Sequence, residues 1–175
     1  VAVFELVKNS FDANATHVSV IFENQYDIET AKIIIIDNGF GMDFDDLKNK
    51  WLFVAYSAKK EGIENENEYR HKIKSKRIFA GAKGVGRFSC DRLGKFLSLI
   101  TIKNSIESKI ENLVVDWTAF EKDSNNEFVD IKVTHNQLLT NEYEIKHGTI
   151  LEITGLRDIW DRDRLKKLKF SLEKL

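Results

Sequence analysis

The 175-residue chain contains no proline, which excludes a proline-rich linker and any proline-punctuated loop. Cys90 is its single cysteine. That excludes a disulfide framework and a multi-cysteine metal site, and it fits a reducing compartment, here the cytoplasm. No apolar run approaches the roughly 20 residues needed to span a bilayer, so no membrane association is expected. Excess charge of one sign is also missing: 27 Lys and Arg face 28 Asp and Glu, a net charge of -1. This excludes a wholly basic nucleic-acid binder and leaves room for a local basic patch. What remains is 42% hydrophobic and 31% charged, the balance of an ordinary soluble globular protein. Its length suits one domain with a real core. No signal peptide is read at the N-terminus, and Val1 is not a natural start, so a preceding segment is expected.

Glycine is scarce and bunched. Five of the nine glycines fall in Asp37-Asn38-Gly39-Phe40-Gly41 and Gly81-Ala82-Lys83-Gly84-Val85-Gly86. Bunching of this kind points to special backbone geometry, in tight turns or in loops that cradle a ligand.

Residues 1–14 read as a helix. Phe4, Val7 and Phe11 share one face, Glu5, Asn9, Asp12 and Ala13 lie roughly opposite, and Asn14 suits a C-terminal cap. Strands are expected over 16–22 and 32–37, the second a continuous isoleucine run suited to burial on both faces. Asp43 can cap a helix running to about Val54. Residues 58–80 lack periodicity and read as a long mobile loop. A helix is expected over Val85–Leu93, ended by Gly94. Strands follow at Phe96–Lys103, Lys109–Trp117, Phe128–Thr134 and Thr149–Thr154. A basic amphipathic helix, Trp160–Leu175, closes the chain, with Leu165, Leu168, Leu172 and Leu175 at helical spacing suited to packing. This order predicts an α+β two-layer sandwich, with helices on one face of a mixed, mostly antiparallel sheet. A doubly wound parallel sheet fits less well, because the later strands lack intervening helices.

Three constellations carry candidate chemistry. Glu5 and Asn9 are four residues apart and Asp12 three further on, so they line one helix face. Oxygen donors so placed can hold Mg²⁺ and orient a water, or simply face solvent. Asp37 ends an apolar strand, where a carboxylate can accept a hydrogen bond from an exocyclic amine. Gly39 and Gly41 would let backbone approach a flat ring, with Met42 packing on it. Asn38-Gly39 is also a hairpin signal. Gly81–Arg87 leads into a helix, where backbone amides with Lys83 and Arg87 can bind an anion. It matches neither the Walker nor the Rossmann pattern.

The order of these motifs carries a resemblance. Glu5-Leu-Val-Lys-Asn9-Ser-Phe-Asp12-Ala13 resembles the N-box of the GHKL ATPases: gyrase B, heat-shock chaperones, histidine kinases and MutL. Asp37–Met42 resembles their first Gly box, Gly81–Gly86 the second, and His147-Gly148-Thr149 the Gly-Thr pair opening a late strand. The N-box is most similar to MutL and MORC-type ATPases and their bacterial relatives. The second Gly box departs from MutL, which argues against a mismatch-repair protein.

The resemblance implies the Bergerat fold over one ATP-binding domain, 1–175, with a lid at about 58–86. It implies ATP and Mg²⁺ as ligands. Glu5 would be the general base, and Asn9 would give its side-chain oxygen to Mg²⁺. Asp12 and Ala13 would border the pocket. Asp37 would bind adenine N6, assisted by Thr149, with Gly39, Gly41 and Met42 lining the base pocket. Gly81, Lys83, Gly84, Val85 and Gly86 would wrap the phosphates, with Ser57 and Lys59 opening the lid. Residues 59–87 hold nine Lys or Arg against four Asp or Glu, which suits phosphate. The scattered histidines and Cys90 are expected to be structural, exposed or inert.

The function implied is Mg-dependent ATP hydrolysis that drives lid closure and conformational change in a larger protein. Turnover by the chain alone is expected to be weak, because a downstream domain and an N-terminal segment would be missing. Partners implied are ATP or ADP, a second copy in the full-length protein, and nucleic acid through the missing domains. Two alternatives stay open: the ATP-binding domain of a histidine kinase, and a non-hydrolysing nucleotide-gated interaction module. Glu5 in the base position argues against the kinase.

Overall fold

Four consecutive isoleucines set the inner part of the sheet. The computed structural model describes residues 2–51, 85–118 and 132–175, with Lys50, residues 85–88 and Lys132 as backbone alone. Ile33, Ile34 and Ile35 are each at most 1% exposed. Their strand, β2 (Lys32–Asp37), has β1 (Val18–Glu23) on one side and β6 (Gly148–Leu156) on the other. Burial on both faces is why this strand is continuously apolar rather than alternating. Each such side chain contributes about 1.5–3 kcal/mol of transfer free energy.

The six strands are ordered β1-β2-β6-β3-β4-β5, with β3 at Gly94–Ile102, β4 at Ile110–Asp116 and β5 at Lys132–Leu138. All five described pairings are antiparallel. The last strand in sequence therefore enters the middle of the sheet. That insertion sets Thr149 opposite Asp37 on one side and opposite Thr101 on the other.

Directly paired residues share a face of a pleated sheet. One row reads Phe22, Ile33, Ile153 and Leu97, and the next reads Val20, Ile35, Leu151, Leu99 and Leu113. These rows form the core with the helices. The end row on the same face turns polar: Asp37, Thr149, Thr101, Glu111 and Gln137. A hydrophobic layer thus ends in a line of hydrogen-bonding groups at one margin of the sheet.

The helices cover that face, as the two-layer expectation requires. They are α1 (Ala2–Asp12), α2 (Phe44–Asp46), α3 (Val85–Leu93) and α4 (Arg162–Leu172). Val3 and Leu6 of α1, Cys90 and Leu93 of α3, and Leu165 and Leu168 of α4 join the core. The final helix therefore packs on its own domain through those two leucines, while Leu175 is exposed.

Several local expectations change. The buried stripe of α1 is Val3, Leu6 and Ser10 rather than the Phe4, Val7 and Phe11 face, and Phe11 is 67% exposed. Asn14 does cap α1, with φ of 61°. Ala15 N–H reaches Ser10 O and Asn14 N–H reaches Phe11 O, a Schellman closure. Asp43 caps α2 reciprocally with Asp46, but regular α-helix lasts only three residues before a π-helical turn, Leu47–Trp51. Gly94 does not cap α3. It opens β3 directly, where a Cβ would sit 2.5 Å from Thr154 O. Of the strand expected at Phe128–Thr134, residues 132–134 open a strand that runs on to Leu138, and 128–131 lie outside the described residues. The loop expected over 58–80 lies outside the described residues.

Candidate functional site

Asp37 is the last residue of β2 and only 7% exposed. A buried carboxylate needs donors, and three converge on it. Oδ1 accepts Gly39 N–H at 2.9 Å and Thr149 N–H at 3.2 Å. Oδ2 accepts the Ser10 hydroxyl at 2.8 Å. Two carboxylate oxygens offer about four acceptor positions, so one remains for a ligand donor. Among these donors, Ser10 escaped the sequence reading. Its signal is a lone hydroxyl in the Val3–Leu6–Ser10 stripe.

The loop after Asp37 is not a hairpin, because β2 pairs with β1 and β6 and the chain runs on to α2. Asn38 instead ties this loop to the end of α1. Its Oδ1 accepts the N–H groups of Thr16 and His17, each at 2.9 Å, and its Nδ2 donates to Thr16 Oγ1 at 2.8 Å. Phe40 N–H donates to Ala13 O at 2.9 Å. Ala13 is thereby brought against the first Gly box. His147, expected to be structural or exposed, contacts Gly39 O through Nδ1 at 2.9 Å and tethers the loop from the other side.

Gly41 adopts φ of 61°, and a Cβ there would collide with the carbonyl of Ile102. Gly148 has φ of 118°, and a Cβ there would collide with the carbonyl of Asp37. Both positions therefore require glycine on two counts, conformation and close backbone approach. Met42 packs at the edge of the core, and its N–H donates to Thr101 Oγ1 at 2.9 Å. Thr101 is fully buried and was not anticipated from the sequence. Its role depends on register across β3 and β6, which no local pattern carries.

Glu5, Asn9 and Asp12 occupy one arc of α1, partly exposed at Glu5 and Asn9 and exposed at Asp12. Val85 and Gly86 form the first turn of α3, which packs against α1. Ser57, Lys59, Gly81, Lys83 and Gly84 lie outside the described residues. Among the described residues no group of three or more His, Cys, Asp and Glu is arranged to hold a metal. Mg²⁺ at Asn9 is compatible with that, because Mg²⁺ needs few protein ligands when phosphates and waters complete its shell.

Beside the site, Lys103 joins Asp43 Oδ2 at 2.6 Å and Asp46 Oδ2 at 2.8 Å. These hydrogen bonds raise the Lys103 pKa, and Lys103 in turn lowers that of Asp43. Farther along the polar row, buried Glu111 meets His135 Nε2 at 2.5 Å and Gln137 Nε2 at 3.2 Å. Phe44 lies on the His135 ring, 4.2 Å between centroids. These contacts dock α2 on the sheet where the first Gly box ends.

This arrangement has a counterpart among known families. Residues 1–149 match the model of the histidine kinase-, DNA gyrase B- and HSP90-like ATPases. The chain belongs to that family. It is an ATP-binding domain of ATPase type, as its motifs implied, and its α+β sheet with helices on one face agrees with the family fold. A Herpetosiphon aurantiacus protein provisionally named type II restriction enzyme HgiDII is 29% identical over 102 residues. That match covers 58% of this chain and 14% of the relative. Among the described residues, no helix of this ATPase-family chain is long and apolar enough to cross a membrane.

Proposed function

We propose that this domain binds ATP with Mg²⁺ and hydrolyses it to drive conformational change in a larger protein. The observation that carries the reading is the buried Asp37 carboxylate, held by Ser10, Gly39 and Thr149 with one acceptor position to spare. That position suits the exocyclic amine of adenine. Gly39, Gly41 and Met42 border the base, and Asp12 and Ala13 close the pocket from the α1 side.

The remaining roles are those that the family motifs imply. Glu5 holds and deprotonates the attacking water, one helical turn from Asn9. Asn9 would supply its side-chain oxygen to Mg²⁺, whose charge would offset that of the phosphates. The first amides of α3, at Val85 and Gly86, would serve the phosphates as helix N-termini do. Lys83, Gly81, Gly84, Ser57 and Lys59 complete the phosphate site when the lid segment closes. Phosphoryl transfer asks mainly for positioning and charge neutralisation, which this set supplies. The likeness to a protein named as a restriction enzyme makes a DNA-acting, dimeric assembly the setting we favour for the module.

Calorimetry with ATP and Mg²⁺ tests the reading. The unaltered protein should bind, and Asp37→Asn should abolish binding, because an amide nitrogen would face the base amine. Glu5→Ala should retain binding and lose turnover. Normal ATP affinity in Asp37→Asn removes the adenine assignment, and unchanged turnover in Glu5→Ala removes the general base.

A further inference from the structure

The hydroxyl of Thr101 is fully buried and sits between three neighbours. Met42 N–H donates to it at 2.9 Å. It donates to the carbonyl of Gly148 at 3.0 Å. It also lies 3.2 Å from the hydroxyl of Thr149. A hydroxyl has one proton and two lone pairs. A carbonyl can only accept, so the single proton of Thr101 goes to Gly148. One lone pair takes the Met42 N–H. The remaining lone pair meets Thr149, so the Thr149 hydroxyl must donate there.

That donation fixes the direction of a second hydroxyl. The Thr149 proton points back into the sheet, and its lone pairs are what it can offer a ligand. Thr149 is partly exposed, and its own N–H is bound to Asp37 Oδ1 at 3.2 Å, so the two groups stand together. An ionised carboxylate is likewise an acceptor without a proton to give. The site therefore presents acceptors from two residues side by side.

We propose that Thr101 is a positioning residue that holds the Thr149 hydroxyl as an acceptor, so that the site selects a purine bearing an amine and rejects one bearing a carbonyl at the same place. The proposal rests on the ATP-binding reading above and deepens it. A residue that never touches the nucleotide sets its specificity by consuming the proton of one that does. Replacing Thr101 by Val removes the acceptor for that proton. Thr149 can then rotate and donate to a carbonyl.

The test compares affinities for ATP and inosine triphosphate, which replaces the purine amine by a carbonyl, in the full protein by calorimetry. Thr101→Val should lower the preference for ATP by about tenfold, the scale of one hydrogen bond. Thr101→Ser keeps the hydroxyl and should keep the preference. ATP binding with an unchanged preference in Thr101→Val overturns the inference alone. Equal loss in Thr101→Ser and Thr101→Val also overturns it, since a packing role would be felt in both. If Thr101→Val does not fold, Thr149→Ala should show the same fall, and an unchanged preference there overturns the inference. If the unaltered protein binds neither nucleotide, the ATP-binding reading itself falls.

Discussion

The Ser10 hydroxyl on α1 donates to Asp37 Oδ2 on β2 at 2.8 Å, joining residues 27 positions apart. Both are buried, at 5% and 7% exposure. The bond links the helix that carries the catalytic candidates to the strand that carries the base-binding candidate. It also fixes the carboxylate, with Gly39 and Thr149 holding the other oxygen.

Ser10→Ala should therefore act on both stability and binding. It removes a donor from a buried charged acceptor, which costs about 1–3 kcal/mol. Urea unfolding should show that loss with an unchanged m-value, and calorimetry should show weaker ATP binding. A stability change under about 0.5 kcal/mol, the range of ordinary surface changes, would mean that Ser10 does not hold Asp37.

What could be read from the chain follows from how local each signal is. The isoleucine run of β2, the cap at Asn14 and the carboxylate after the run are each local, and each appears where expected. On α1 the apolar spacing marks Phe4, Val7 and Phe11, yet Phe11 is exposed while Ser10 turns inward toward Asp37, a partner the helix sequence does not contain. Gly94 follows α3 as a helix cap would, and its steric role against Thr154 exists only once β6 lies against β3. Thr101 and Glu111 belong to a polar row that spans five strands and has no sequence period at all. Asp37, Gly39, Gly41 and Met42 stand together already in the sequence, Thr149 is placed beside them in sequence only by its family motif, and Ser10 and Thr101 join them only through the fold.

Two glycines with similar φ separate conformational strain from backbone collision. Gly41 and Gly155 have φ of 61° and 60°. A Cβ at Gly155 meets only Lys95 Cβ and the Phe96 ring, at 3.2 Å or more, whereas one at Gly41 collides with the Ile102 carbonyl. Gly155→Ala should cost about 1–2 kcal/mol, the left-handed penalty, and lower Tm by about 2–8 °C. Gly41→Ala should cost several times more and disrupt the first Gly box. Equal Tm shifts in thermal unfolding would contradict the collision.

The Lys103 clamp on Asp43 and Asp46 should give a pH signature. Hydrogen bonding to Lys103 lowers the Asp43 pKa below 3.8, so this contribution is present above that value and is lost as pH falls through the folded value. The Lys103 pKa is raised above 10.5, so its contribution is present below 10.5 and is lost as pH rises through the folded value. Lys103→Met should lower stability between about pH 5 and 10, and the gap to the unaltered protein should close as pH falls through the folded Asp43 value. The pair is partly exposed, so 1 M salt should shrink the difference. Urea unfolding across pH measures this, and a gap that does not narrow in acid would contradict the ion pair.

Cys90 offers a readout of ligand binding far simpler than turnover. It lies on α3 at 1% exposure, and burial, with a smaller contribution from Asp91, pushes its thiol pKa up to about 12. At pH 8 roughly one part in ten thousand would be thiolate, so the native thiol should resist iodoacetamide and react through opening of α3. Opening is linked to binding, because a ligand that binds only the closed form stabilises it. ATP at 100 times its Kd adds about 2.7 kcal/mol, which slows labelling about a hundredfold if opening must release the nucleotide. Mass spectrometry of alkylated Cys90 with and without Mg-ATP measures that ratio. Slow labelling that ATP does not slow further would separate α3 from the nucleotide site, and fast labelling without ligand would contradict the burial itself.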